Sequence, residues 1–232
     1  MGLFSRRRRA DADLDRSPDA ALTESEDLGP GPWDAKEAPE SPTTARGWID
    51  LGSVRVPAVD GMQLRLEAPT QDAEPVAVVL VLGGSTLELR AFAAPRTEGL
   101  WEELRGDIAS ELARSKASYR VATGPYGPEL LAQVPVLSPD GERMSVPARF
   151  IGVDGPRWFL RGVLQGRAAS DEGAAEALRD VFSEVVVVRD SRPRPPRELL
   201  PLHPPGGAAA SEAPEIAGID PLTPGPTIAE VR

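Results

Sequence analysis

The reactive side chains of this sequence are arginines, carboxylates and a few aromatics, and the usual catalytic partners are missing. Among 232 residues there is no cysteine and one histidine, His203. That composition removes thiolate nucleophiles, zinc fingers, iron–sulfur clusters and paired-histidine sites. Neither a Gly-x-Ser-x-Gly elbow nor a Walker phosphate loop occurs. A serine nucleophile would need a base, and His203 stands among prolines near the C-terminus, where it reads as an ordinary tail residue. Asp140 and Asp154 read as turn residues, and Glu98, Glu102 and Glu103 as acids at the positive end of a helix. No catalytic residue, metal-ligating set or cofactor motif is assigned.

Two constellations remain as binding candidates. The first is the run from Arg149 to Gly162, in which Phe150, Arg157, Phe159 and Arg161 are expected on one face of a hairpin. Two aromatics beside two guanidiniums suit stacking on single-stranded bases or clamping a small anion such as a phosphate or carboxylate. The competing reading buries both rings under a helix and sends the arginines outward to neighbouring acids. The second candidate is Gly31-Pro32-Trp33-Asp34, a lone large aromatic in an acidic tract. Trp33 and Asp34 there form a docking element, for a protein partner or for the chain's own domain.

The elements that must carry these residues follow from charge and proline usage. Lys and Arg number 26 against 36 Asp and Glu, a net charge of -10, which argues against a general polyanion binder. Residues 1–9 are basic. Residues 10–45 hold ten acids against two bases, and residues 191–232 hold ten prolines. Such segments bury too little apolar surface to offset the entropy of ordering them. The expected organisation is a disordered arm over 1–45, a single domain over 46–190 and a disordered tail over 191–232. Leu3 and Phe4 ahead of Arg6 to Arg9 supply at most a weak contact with an anionic membrane. No apolar run approaches the roughly 20 residues of a membrane span, and no apolar region follows the N-terminal arginines. A cytoplasmic protein is expected.

Within the domain, Met62, Leu64 and Leu66 alternate as in a half-buried strand. Val76 to Leu82 and Ser85 to Phe92 flank Gly83-Gly84, a two-residue loop suited to a type I′ turn. That turn sets Leu82 against Ser85, Leu80 against Leu87 and Val78 against Leu89. A helix is expected from an N-cap at Thr97 to about Ser115, with Trp101, Leu104, Ile108 and Leu112 as its buried stripe. Strands follow near Tyr119 to Ala122 and through Leu130, Ala132, Val134 and Val136. A second hairpin runs from Val146 to Gln165 around Asp154-Gly155, with Ile151 opposite Trp158 and Phe150 opposite Phe159. A helix from about Glu172 to Phe182 then leads into Val185 to Val188. The fold class is α+β, an antiparallel sheet of hairpins with two packed helices. The order of elements resembles the Mog1/PsbP-like sandwich, with a secretion-chaperone-like fold as the alternative.

The residues also carry a family resemblance. The Met-Gly-Leu-Phe start with its basic run, Gly31 to Asp34, Leu51-Gly52-Ser53, Ala91 to Arg96, Arg149 to Gly162 and Val185 to Arg189 together resemble an uncharacterised actinobacterial domain-of-unknown-function family. The resemblance spans about residues 1–9 and 30–202. It implies a bacterial cytoplasmic protein and brings no activity, cofactor or catalytic residue with it. The expected function is a non-enzymatic protein-interaction domain that docks through the Trp33 segment on an unidentified protein. The alternative is a small anionic ligand or single-stranded nucleic acid on the 149–162 hairpin.

Overall fold

The computed structural model describes residues 31–70, 72–96, 99–138 and 140–206. In chain order the strands are β1 (Trp33–Asp34), β2 (Trp48–Asp50), β3 (Val54–Pro57), β4 (Gln63–Glu67), β5 (Ala77–Leu82), β6 (Ser85–Ala93), β7 (Tyr119–Gly124), β8 (Gly127–Leu137), β9 (Arg143–Gly155), β10 (Trp158–Gly166) and β11 (Val186–Val187). Helix α1 (Leu100–Arg114) stands between β6 and β7, and α2 (Glu172–Ser183) between β10 and β11. Seven strands form an antiparallel sheet ordered β4-β5-β6-β10-β9-β8-β7, and the other four form a small sheet ordered β1-β11-β3-β2. The α+β expectation holds at this level: mostly sheet, with two helices.

The first hairpin follows its loop. Val78 pairs with Leu89, Leu80 with Leu87 and Leu82 with Ser85, and both Gly83 and Gly84 take positive φ, 58° and 77°, as a type I′ turn requires. The second hairpin departs from expectation. Its loop is Pro156-Arg157, so Trp158 pairs with Gly155 and Ile151 with Gly162, not with Trp158. The loop lies two residues farther along the chain, so every partner moves by four residues. An even shift preserves the pleat, so Phe150, Phe159 and Arg161 still share one face and Arg149, Ile151, Trp158 and Leu160 the other. Arg157 leaves that set because it sits in the turn, at φ 64°.

Helix α1 covers the Phe159 face. Trp101 and Leu112 are buried, and Leu104 and Ile108 pack beside them against Phe92, Phe150 and Phe159. Its start differs from the Thr97 cap; Thr97 and Glu98 lie outside the described residues, and the helix opens at Leu100 behind Gly99 at φ 110°. No side chain of its own caps it. Asp154 does so from the second hairpin, accepting the Gly99 N–H at 3.1 Å and the Trp101 N–H at 3.2 Å. A carboxylate at the positive end of a helix satisfies its unpaired N–H groups. Asp154 is therefore a helix cap borrowed across the fold, not a turn residue.

On the opposite face, α2 turns Ala175, Leu178, Val181 and Phe182 inward. They join Leu51, Val54, Val56, Leu80, Ile151, Trp158, Leu160 and Val187 in the main core. Asp171 caps α2 through the Ala174 N–H at 2.8 Å.

The expected domain limits, 46 and 190, are both too narrow. Residues 31–45 contribute β1, and the proline-rich segment after Asp190 lies along both sheets. Past the point where β5 parts from β6, the Ala93 N–H donates to the Glu198 carbonyl at 2.7 Å and the Leu200 N–H to the Ala91 carbonyl at 2.9 Å. Further on, the His203 N–H donates to the Leu51 carbonyl at 3.0 Å. Leu200 and Leu202 enter the core at 3% and 8% exposure. Proline content alone predicts disorder, but here the prolines space apolar anchors along an extended segment. Residues 1–30 and 207–232, including Leu3, Phe4 and Arg6 to Arg9, lie outside the described residues. Leu200→Ala is expected to lower the stability of the domain by about 2–4 kcal/mol, read as the midpoint of urea unfolding. A chain ending at Asp190 should fall at least as far, and unchanged midpoints for both would contradict this account.

Candidate functional site

The aromatic–arginine candidate is dispersed by the fold. Phe159 is fully buried, stacked between Trp101 and Phe92 with ring centroids 5.9 Å from each. Phe150 is half-buried beneath α1. Neither offers the open ring face that a base would need. Arg161 lies 5.9 Å over the Phe92 ring and donates to Glu88 at 2.9 Å, and Glu88 also takes Arg90 at 2.7 Å. Burial pushes the Arg161 guanidinium below its ordinary value, against the pull of Glu88. Arg157 stands apart, exposed in the β9–β10 turn.

Trp33 and Asp34 dock on their own domain. The Trp33 N–H donates to the Val185 carbonyl at 2.8 Å, and β1 runs parallel to β11. The Asp34 carboxylate accepts the indole N–H of the buried Trp158 at 2.9 Å. Beyond it, Thr43 and Thr44 donate backbone and side-chain hydrogens to the buried Glu184 carboxylate. Burial raises that carboxyl, and these donors outweigh the burial and hold it below its ordinary value.

The strongest electrostatic feature was not visible in sequence. Arg149 on β9 and Glu129 on β8 are both 2% exposed, and α2 lays Glu172 and Arg179 over them. Arg149 donates to both oxygens of Glu172, at 3.0 and 2.7 Å. Arg179 donates to Glu172 at 2.6 Å and to Glu129 at 3.0 Å. Two arginines and two glutamates thus alternate and compensate each other, which is what burial of charge demands. A Cβ on Gly124 would collide with the Glu129 carboxylate, so glycine there leaves room for the pair. The hydrogen bonds from Arg149 and then Arg179 hold Glu172 down at about 2. Tyr126 beside them is pushed up to about 12 by burial. All four charges are spent on one another, so the cluster ties α2 to the sheet.

One surface stands apart from this self-satisfied interior. Tyr119 (42% exposed), Val121 (53%), Leu137 (71%) and Met144 (51%) are the exposed large apolar side chains among the described residues, and all four lie at one end of the molecule. Two belong to the edge strand β7. The others sit at the end of the β8–β9 ribbon, where Val136 pairs with Met144 and Leu137 with Arg143, beyond the last β7–β8 pair, Tyr119 with Ala132. A shallow cleft of about 300 Å³ runs beside them between Arg120, Gln133, Pro147 and Ser170, and Arg120 is its single charged lining residue. The sequence indicates strands near Tyr119 to Ala122, through Leu130 to Val136 and from Val146, but cannot say which lies at an edge.

The structural unit over 31–206 coincides with a family match. The model of a protein family described as "Protein of unknown function (DUF3710)" matches residues 31–211. The chain belongs to the DUF3710 family. The DUF3710 match begins at Gly31, beside β1, and runs past the docked tail, so the family unit includes residues 31–45 and 191–211 of the two expected arms. Among curated proteins none matches. The solution structure of cyanobacterial PsbP (CyanoP) from Synechocystis sp. PCC 6803 is similar at a TM-score of 0.34 and 12% identity, covering 61% of this chain and 95% of that one. No helix among the described residues is long and apolar enough to cross a membrane.

Two outcomes are expected from this site. Asp34→Ala leaves the Trp158 indole N–H buried without an acceptor and should cost about 1–3 kcal/mol in thermal or urea unfolding. Glu172 has a depressed folded value, so its contribution is present above the ordinary 4.5 and is lost as pH falls from there toward about 2. The melting temperatures of the natural chain and Glu172→Gln should therefore differ at neutral pH and converge across that window. A gap that does not change with pH would refute the assignment.

Proposed function

We propose that the DUF3710 domain is a non-enzymatic, cytoplasmic protein-binding module whose contact surface is the end formed by β7 and the β8–β9 ribbon. A single observation carries this reading: the exposed large apolar side chains of the described residues gather at that end, while the buried charges Glu129, Arg149 and Glu184 all have partners within the fold. Large apolar side chains left exposed on both faces of one end of a folded domain, Tyr119, Val121 and Met144 on one and Leu137 on the other, mark contact with another macromolecule. The helix on each face of one antiparallel sheet supports a PsbP-like sandwich as the finer description of the fold, in which such an end is free to bind. The Trp33 segment then serves as an internal fastening, and the partner meets Leu137 and Met144 instead.

The test is affinity capture from the native host with the full chain, the Leu137→Glu/Met144→Glu variant, and Arg157→Ala as a control on the other hairpin. Substitution at these exposed positions should leave the melting temperature unchanged. The double variant is expected to lose specifically captured proteins that the control retains. Equal capture by all three would overturn the reading.

A further inference from the structure

We infer that β7 pairs with β7 of a second copy of this chain, antiparallel about a two-fold axis through Val121, to make one continuous sheet across a dimer. The inference rests on the reading of this end as a contact surface and names the occupant of its edge. The large sheet has two edges, β4 and β7, and they are defended differently. Strand β4 turns Gln63, Arg65 and Glu67 outward, all exposed, and charged residues on an edge discourage addition of another strand. Strand β7 shows Tyr119 and Val121 instead, with Arg120 as its single charge.

Hydrogen bonding selects the register. The Gln133 N–H donates to the Ser118 carbonyl at 2.9 Å, which makes Ser118–Gln133 a hydrogen-bonded pair of the β7–β8 ladder. In an antiparallel ladder such pairs alternate, so Arg120, Ala122 and Gly124 also bond inward to β8. The backbone groups of Tyr119, Val121 and Thr123 therefore point away from the sheet. Centring the two-fold axis on Val121 sets Val121 against itself and Tyr119 against Thr123 of the second copy, so each outward N–H meets an outward carbonyl. Centring it on Ala122 would bring Pro125, which has no N–H, against Tyr119. Centring it on Arg120 would call on Ala117, whose N–H is already given to the Leu112 carbonyl at 2.9 Å. The Val121 register also matches charge, since Arg120 falls opposite Ala122 of the second copy and no like charges face each other. The sheet faces continue in step, and the exposed Tyr119 and Val121 side chains of both copies meet in one apolar stripe.

Because residue 121 lies on the axis, its substitution gives a self-complementing test by light scattering across a dilution series of the full chain. The natural chain is expected at twice the mass of one copy. Val121→Lys and Val121→Glu, each placing like charges directly opposite, should be monomeric alone and dimeric when mixed one to one. Val121→Pro removes only an outward N–H, so it should be monomeric with β7–β8 pairing intact. A monomeric natural chain overturns the second copy, and if Leu137→Glu/Met144→Glu still loses its captured proteins the contact-surface reading stands without it. Dimers that persist in both Val121→Lys and Val121→Glu would also overturn the inference, since the interface would then lie elsewhere.

Discussion

The register of the β9–β10 hairpin holds the rest of the structure in place. With Pro156-Arg157 as the loop, Asp154 and Trp158 fall at the end of the sheet on opposite faces. Asp154 there meets the start of α1 on one side, and Trp158 meets Asp34 of β1 on the other. Farther down the same strand, Arg149 falls under α2, where Glu172 can reach it. A slip of one residue would exchange the faces of all these side chains. It would leave a helix uncapped, an indole N–H unpaired and an arginine charged against the apolar underside of α1. The hairpin is thus held from both faces by polar contacts that are satisfied in one register.

The same economy governs the charged side chains. Acids that approach one another do so with arginine between them: Glu129 and Glu172 share Arg149 and Arg179, and Glu88 holds Arg90 and Arg161. Glu184, without a cation, takes its hydrogens from Thr43 and Thr44. These donors hold the carboxyls of Glu172 and Glu184 below their ordinary values. Charge is used in this fold to fix elements to the sheet. The exposed large apolar side chains of the described residues lie at the β7 end.

The two edges of the large sheet sharpen that contrast. A sheet edge exposes unpaired backbone groups, and folds that must remain alone cover or charge them. Strand β4 is charged, and the tail covers the stretch of β6 that β5 leaves open. The chain therefore spends residues on closing the sheet at one side. Strand β7 receives no such cover from the described residues.

What the sequence determined by itself is what local rules decide. The Gly83-Gly84 loop sets its hairpin to the residue because two glycines at positive φ admit one tight turn. The pleat of β9 and β10 was legible for the same reason, since any even-length loop gives the same faces. Only the tertiary structure decided the rest. Choosing Pro156-Arg157 over Asp154-Gly155 puts a non-glycine residue at positive φ, and the capping of α1 by Asp154 together with the Trp158–Asp34 contact accompanies that choice. Neither is local in sequence. Trp33, Leu200 and Leu202 looked like members of disordered arms because composition measures what a segment can bury against itself. They are ordered by backbone and apolar partners far away in the chain: Val185 for the first, Ala91 and Leu51 for the segment that carries the others. The candidate site followed the same division. The sequence indicates strands near Tyr119 to Ala122 and from Val146, short of Met144, but only sheet order could leave β7 at an edge, because that order is set by pairings between residues distant in sequence.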